Sequence, residues 1–101
     1  MFGDIVEKLK LAQEGSKNRL EQILVDGQAD NGRVKVVVNG NKVVKQILIS
    51  QDLFDEGDKE AIEELTQLAI NRAIEKAEAV YNDEMKGMAK GVMPNIPGLN
   101  F

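Results

Sequence analysis

Asn31-Gly32 and Asn39-Gly40 confine the middle of this chain to a tightly folded ribbon. Asn and Gly tolerate the positive φ that short hairpin turns require. Around these pairs the apolar residues repeat with a period of two. Ile23-Leu24-Val25 opens a first strand, and Asp30-Asn31-Gly32 turns the chain. Arg33 to Val38 forms a second strand, Asn39-Gly40-Asn41 turns again, and Lys42 to Ser50 forms a third. Two short turns in succession predict an antiparallel three-stranded meander.

Both faces of that sheet carry apolar residues. Val34, Val36 and Val38 point one way, while Val37 points the other way with Lys35. In the third strand Val43, Ile47 and Ile49 oppose Val44 and Leu48. A sheet with one wet face alternates more cleanly. One face is therefore expected to pack on the chain's own helices, and the other on a second copy, through Val37, Val44 and Leu48.

Helices flank the ribbon. Ile5, Leu9, Ala12, Ser16, Leu20 and Ile23 fall at three- and four-residue spacing, which predicts a helix from residue 4 to about 22. Asp4 with Glu7 three positions on fits a capping box. Gly15 sits mid-helix, either as a weak spot or as a place where another helix comes close. After the connection QDLFDEG, Asp58 is a good N-cap for a long helix starting near Lys59. Its stripe runs through Ile62, Leu65, Ala69, Ile70, Ala73, Ile74, Ala77, Val80, Tyr81, Met85 and Met88, with Gly87 and Gly91 as the first stops. About thirty residues at 1.5 Å rise span roughly 45 Å. A compact domain of about 100 residues is only roughly 34 Å across. The helix is thus expected to overhang its sheet, and Ala69, Ala73 and Ala77 would let a helix of a second copy approach closely.

The chain has 101 residues, so it is expected to form one domain over residues 1–91, followed by an irregular tail, residues 92–101, that holds both prolines. Apolar residues make up 43% and charged residues 30%, a globular balance. With no Cys and no His, the chain lacks thiolate metal ligands, disulfides and the commonest general base. Ser16 and Ser50 have no supporting catalytic motif, and no Gly-rich run leads into Lys-Ser or Lys-Thr. From Asp52, Gly57 and Glu63 stand at positions 6 and 12 of an EF-hand loop, but Phe54 occupies a ligand position. A solvated loop and a capped helix start explain these acids better. The expectation is therefore no enzyme, no cofactor, no metal and no small-molecule substrate. MFGDIVEKLK lacks the apolar run of a signal peptide, and no stretch is long enough to cross a membrane.

Charge is unevenly spread. The formal net charge is −4, yet residues 31–51 hold Arg33, Lys35, Lys42 and Lys45 and no acid, a local balance of +4. Residues 52–86 hold eleven acids against four bases, a local balance of −7. The basic group suits phosphate neutralisation without base reading, although strand lysines also serve to protect sheet edges. No aromatic residue interleaves with it, so single-strand stacking is not expected. Lys8, Lys10, Lys17 and Arg19 on the first helix, and Lys86 and Lys90 on the long one, are further candidates for phosphate contact.

Taken together, MFGD, VKVVVNGNKVVKQILIS, DLFDEGDKEAIEELTQLAINRAIEKAEAV and MKGMAKGVMPNIPGLNF resemble the YbaB/EbfC family over nearly the whole chain. The most specific pieces are V-x-V-x-x-N-G at Val34 to Gly40, D-L-x-x-x-D-K-E, and L-x-x-L-A-x-N-x-A at Leu65 to Ala73. That resemblance implies an α+β fold in the order α-β-β-β-α. It further implies an intertwined homodimer shaped like tweezers, with helices projecting from a central sheet. It also implies a bacterial, cytoplasmic, nucleoid-associated protein that binds duplex DNA with little sequence preference. The family's contacts lie on the projecting helices and nearby surfaces. Here that helix carries Glu75, Glu78, Asp83 and Glu84 against Arg72, Lys76, Lys86 and Lys90, so the sheet group and the first helix compete with it as the DNA surface. The rival expectation is a protein-interaction module built on the acidic long helix and its Met85, Met88 and Met93.

Overall fold

A computed structural model describes the backbone of residues 2–92 and the side chains of residues 4–87. Helix α1 (Phe2–Gln22) leads into strands β1 (Leu24–Ala29), β2 (Val34–Asn39) and β3 (Val44–Ile49), then a short helix α2 (Gln51–Asp55) and a long helix α3 (Lys59–Val92). The strands form one antiparallel sheet in the order β1-β2-β3. The α-β-β-β-α order and the meander are as the sequence implies. The tail beyond residue 92 lies outside the described residues.

The two turns work differently. In the first, Asp30, Asn31 and Gly32 all have positive φ (55°, 56° and 84°), which the Asn-Gly signal anticipates. In the second, the positive φ falls on Lys42 (66°), not on Gly40. Gly40 is required for space instead: a Cβ there would stand 2.8 Å from both the carbonyl oxygen and Cδ2 of Leu20. Asn39 organises this turn from within. Its Oδ1 accepts hydrogen bonds from the amides of Asn41 (3.0 Å) and Val43 (3.1 Å), which satisfies a side chain that is almost wholly buried.

Val34, Val36 and Val38 are fully buried beneath α3, as the period-two pattern requires. Register then fixes the rest of that face: Val34 pairs with Ile49, Val36 with Ile47 and Val38 with Val44. The register shifts between Val37 and Val38, where Lys45 is the extra residue of a bulge. This corrects the placement of Val44. One inserted residue reverses the alternation, so Val44 joins Ile47 and Ile49 on the helix side, and only Val37 and Leu48 remain together on the other.

Helix α3 lies over β1 and β2 but not over β3. Ala69, Ala73 and Ala77 are fully buried in the same core as Val34, Val36, Val38, Ala29 and Leu53. They are therefore corrected from a second-copy interface to the chain's own helix–sheet contact. The cause is Gly27 on β1, where an added Cβ would stand 2.9 Å from the Cα of Ala73. Small residues on both sides let the helix backbone settle directly on the strand. Arg72 secures the same edge by donating to the Gln28 carbonyl oxygen at 2.7 Å.

Other local expectations shift slightly. Asp4 lies in the first turn of α1, where its charge complements the helix dipole, and the helix already begins at Phe2. The connection after β3 contains α2, capped by Ser50, whose Oγ accepts from the Leu53 amide at 3.2 Å. Asp58 caps α3 through Oδ1 and the Ala61 amide at 3.1 Å. Helix α3 continues through Gly87 and Gly91 for 34 residues, roughly 51 Å at 1.5 Å rise. Its length gives a radius of gyration of 18.9 Å and extents of 63 × 27 × 17 Å. A compact chain of this size would have a radius near 13 Å.

Candidate nucleic-acid interface

The four basic residues of the ribbon do not converge on one surface. Arg33 stands at the β1–β2 turn and Lys42 at the β2–β3 turn, at opposite ends of the six-residue β2. That separation is roughly 20 Å at about 3.4 Å per residue.

Arg33 is occupied within the chain. Its Nε donates to Asp30 at 2.7 Å and its Nη1 to Glu56 at 2.6 Å, while Nη2 also pairs with Asp30. The hydrogen bonds to Glu56 and Asp30 hold its pKa above the ordinary guanidinium value. Arg33 thus ties the first turn to the start of the α2–α3 connection. Two carboxylates already pair with it, so a phosphate would have to compete with them for its guanidinium.

Lys35 is half-buried on the face away from α3, opposite Gln28. It contributes to a cluster around Asp26. That carboxyl titrates below its ordinary range, chiefly because Gln28 donates to it (Nε2 to Oδ2, 2.8 Å), with Lys76 and Lys35 adding to the effect. Lys45 projects, exposed, from the bulge of β3. Lys8, Lys10 and Lys86 are exposed on the helices, and the side chain of Lys90 lies outside the described residues.

Lys42 has a partner that spacing along the chain could not reveal. Its Nζ sits 4.5 Å from the centroid of the Tyr81 ring on α3. No aromatic residue interleaves with the basic group along the chain, but the fold sets Tyr81 beside Lys42. The pair is brought together because the β2–β3 turn docks against α1, which itself packs on α3. Asn41 Nδ2 donates to the Lys17 carbonyl oxygen of α1 at 3.0 Å, and the Gly40 amide to the Leu20 carbonyl oxygen at 2.9 Å.

Helices α1 and α3 are also tied directly to each other. Ser16 is fully buried between them, so the close approach occurs there and not at Gly15. Arg19 Nε donates to Glu84 Oε1 at 2.8 Å, and Arg19 Nη2 to Ser16 Oγ at 3.1 Å. The Arg19 and Ser16 hydrogen bonds lower the Glu84 pKa, against the opposing effect of burial.

The profile of the YbaB/EbfC DNA-binding family matches residues 2–92. The chain belongs to this family. Relatives within it include a nucleoid-associated protein of Flavobacterium johnsoniae, 38% identical over 92% of this chain and 89% of the relative. Another, from Thermoanaerobacter pseudethanolicus, is 34% identical over 97% of this chain and 89% of the relative. An uncharacterized protein of Helicobacter pylori shares the fold, with a TM-score of 0.75 and 20% identity over 86% of this chain and 91% of that one. The family is one of DNA-binding proteins and not of enzymes. Among the described residues, no helix is long and apolar enough to cross a membrane.

Proposed function

We propose that this protein binds duplex DNA in the nucleoid as a homodimer, mainly through phosphate contacts and with little sequence preference. Membership of the DNA-binding family across residues 2–92 carries the reading. Its relatives bear the name of nucleoid-associated proteins. The exposed lysines Lys8, Lys10, Lys45 and Lys86 support phosphate contact, since each is free of a salt bridge among the described residues.

Dimerisation is supported by the bare part of the sheet. Val44, Ile47 and Ile49 on the helix side are 41%, 45% and 40% exposed, because α3 stops short of β3. Leu48 is similarly exposed on the opposite face. A strand apolar on both sides and open along its outer edge invites a second copy.

A mobility-shift titration at low salt tests the DNA reading. Complex formation at micromolar protein is expected, with log K against log salt falling by about 0.9 for each phosphate neutralised. Absence of a complex under those conditions refutes it. Sedimentation is expected to give twice the 11.1 kDa chain mass.

A further inference from the structure

Where the β2–β3 turn meets α1 and α3, the three elements enclose a cleft of about 490 Å³. That volume lies within the range of small-ligand sites. Its walls combine two kinds of chemistry. Leu20, Val43 and Met85 supply apolar surface and Tyr81 an aromatic ring, while Lys17, Gln13 and Asn41 supply a charge and two amides. Lys42 stands over the Tyr81 ring. None of the lining residues is acidic, and the nearby carboxylate of Glu84 is held by Arg19.

We propose that this cleft seats one unpaired nucleotide, with its base stacked on Tyr81 and its phosphate between Lys17 and Lys42. The inference rests on the nucleic-acid reading above and names a contact that a base-paired duplex cannot make. Every base has a π-face, so an aromatic platform beside cations accepts an unpaired base with little sequence preference. Lys42 is exposed, and its side chain is flexible enough to leave the ring. An exposed cation–π contact is weaker than base–aromatic stacking, so the base displaces the ammonium, which then pairs with the incoming phosphate. The amides of Gln13 and Asn41 also line the cleft and can hydrogen-bond the polar edge of a base. A single-stranded segment, a frayed end or a free mononucleotide all present this chemistry.

The chain offers its own reporter. It has one tyrosine and no tryptophan, so its intrinsic emission arises from Tyr81 in this cleft. Tyrosine emission is to be followed while the protein is titrated separately with oligothymidylate, dTMP and a blunt duplex. Binding of the labelled strand and the labelled duplex is read in parallel by anisotropy. The expected result is quenching by oligothymidylate, with strand affinity about tenfold weaker in Tyr81→Leu and retained in Tyr81→Phe. Quenching by dTMP as well identifies free nucleotides as a second source of the ligand. Lys17→Gln combined with Lys42→Gln is expected to weaken strand binding and flatten its salt dependence. Strand binding that leaves the emission unchanged overturns the inference, as does Tyr81→Leu binding single strands as tightly as the parent. If the duplex binds while neither single strand nor dTMP alters the emission, the cleft assignment fails and the duplex-binding reading stands. If nothing binds, both fail.

Discussion

Gly27 on β1 and Ala73 on α3 meet backbone to backbone. An ideal Cβ on Gly27 would stand 2.9 Å from the Ala73 Cα, inside the closest approach that folded chains allow. This contact sets how deep α3 lies on the sheet. The depth in turn brings Arg72 within reach of the Gln28 carbonyl.

Substituting the two glycines Gly27 and Gly15 should therefore give opposite signs. Gly27→Ala forces α3 away from β1, and a destabilisation of about 3 kcal/mol is expected, the upper end for overpacking because backbone cannot yield as a side chain does. In Gly15→Ala the new Cβ meets only the far end of the Arg19 side chain at 3.3 Å. That variant should gain at most about 0.5–1 kcal/mol from helix propensity, less what the Arg19 guanidinium loses in shifting against Glu84 and Ser16. Urea denaturation midpoints of the two variants check both.

The clasp between α1 and α3 should weaken in acid. The Glu84 pKa is lowered in the folded chain, first by the Arg19 hydrogen bond and then by Ser16. A depressed carboxylate contributes stability that is present above its unfolded value of about 4.5 and is lost as pH falls through the folded value. The Tm difference between the parent and Glu84→Gln should be constant near neutral pH and shrink below about pH 4.5. Arg19 is 60% exposed, so the corresponding difference in unfolding free energy should stay within about 1 kcal/mol. A difference independent of pH would show that the pair contributes only by packing.

Arg33 and Lys45 should separate stability from DNA binding. Arg33→Gln removes the bridge from Asp30 to Glu56 and should lower Tm while leaving duplex affinity nearly unchanged. Lys45→Gln should leave Tm unchanged. Its duplex affinity should fall, with the salt slope reduced by about 0.9 if it contacts one phosphate. Thermal melts and salt-dependent anisotropy on both variants provide the check.

A charge on the bare face of β3 should dissociate the dimer without unfolding the chain. Ile47 is 45% exposed in the single chain, so Ile47→Glu costs the lone fold little. Across a dimer interface the same carboxylate would be buried without a partner, which is strongly unfavourable. Sedimentation should show mass moving toward 11.1 kDa, with the helical circular dichroism retained.

Much of this architecture was legible in the chain because its signals act over a few residues. The Asn31-Gly32 turn, the Asp58 cap and the buried valines of β2 each depend on local dihedrals, a hydrogen bond to a near amide, or the alternation of a strand. The overhang of α3 followed from its unbroken apolar stripe and a constant rise per residue. Family resemblance came from the same residues read together.

The tertiary structure alone decided where surfaces separated along the chain came to meet. Ala69, Ala73 and Ala77 offered a smooth strip suited to any close partner, and Gly27 made that partner the chain's own β1. The bulge at Lys45 turned Val44 to the other face, since one extra residue reverses a period of two. Arg33 found Glu56 across 23 positions, and Lys42 found Tyr81 across the turn that Gly40 lets settle on Leu20. Such pairings depend on the depth and angle at which helix meets sheet. Packing fixes that geometry, and spacing along the chain carries no record of it.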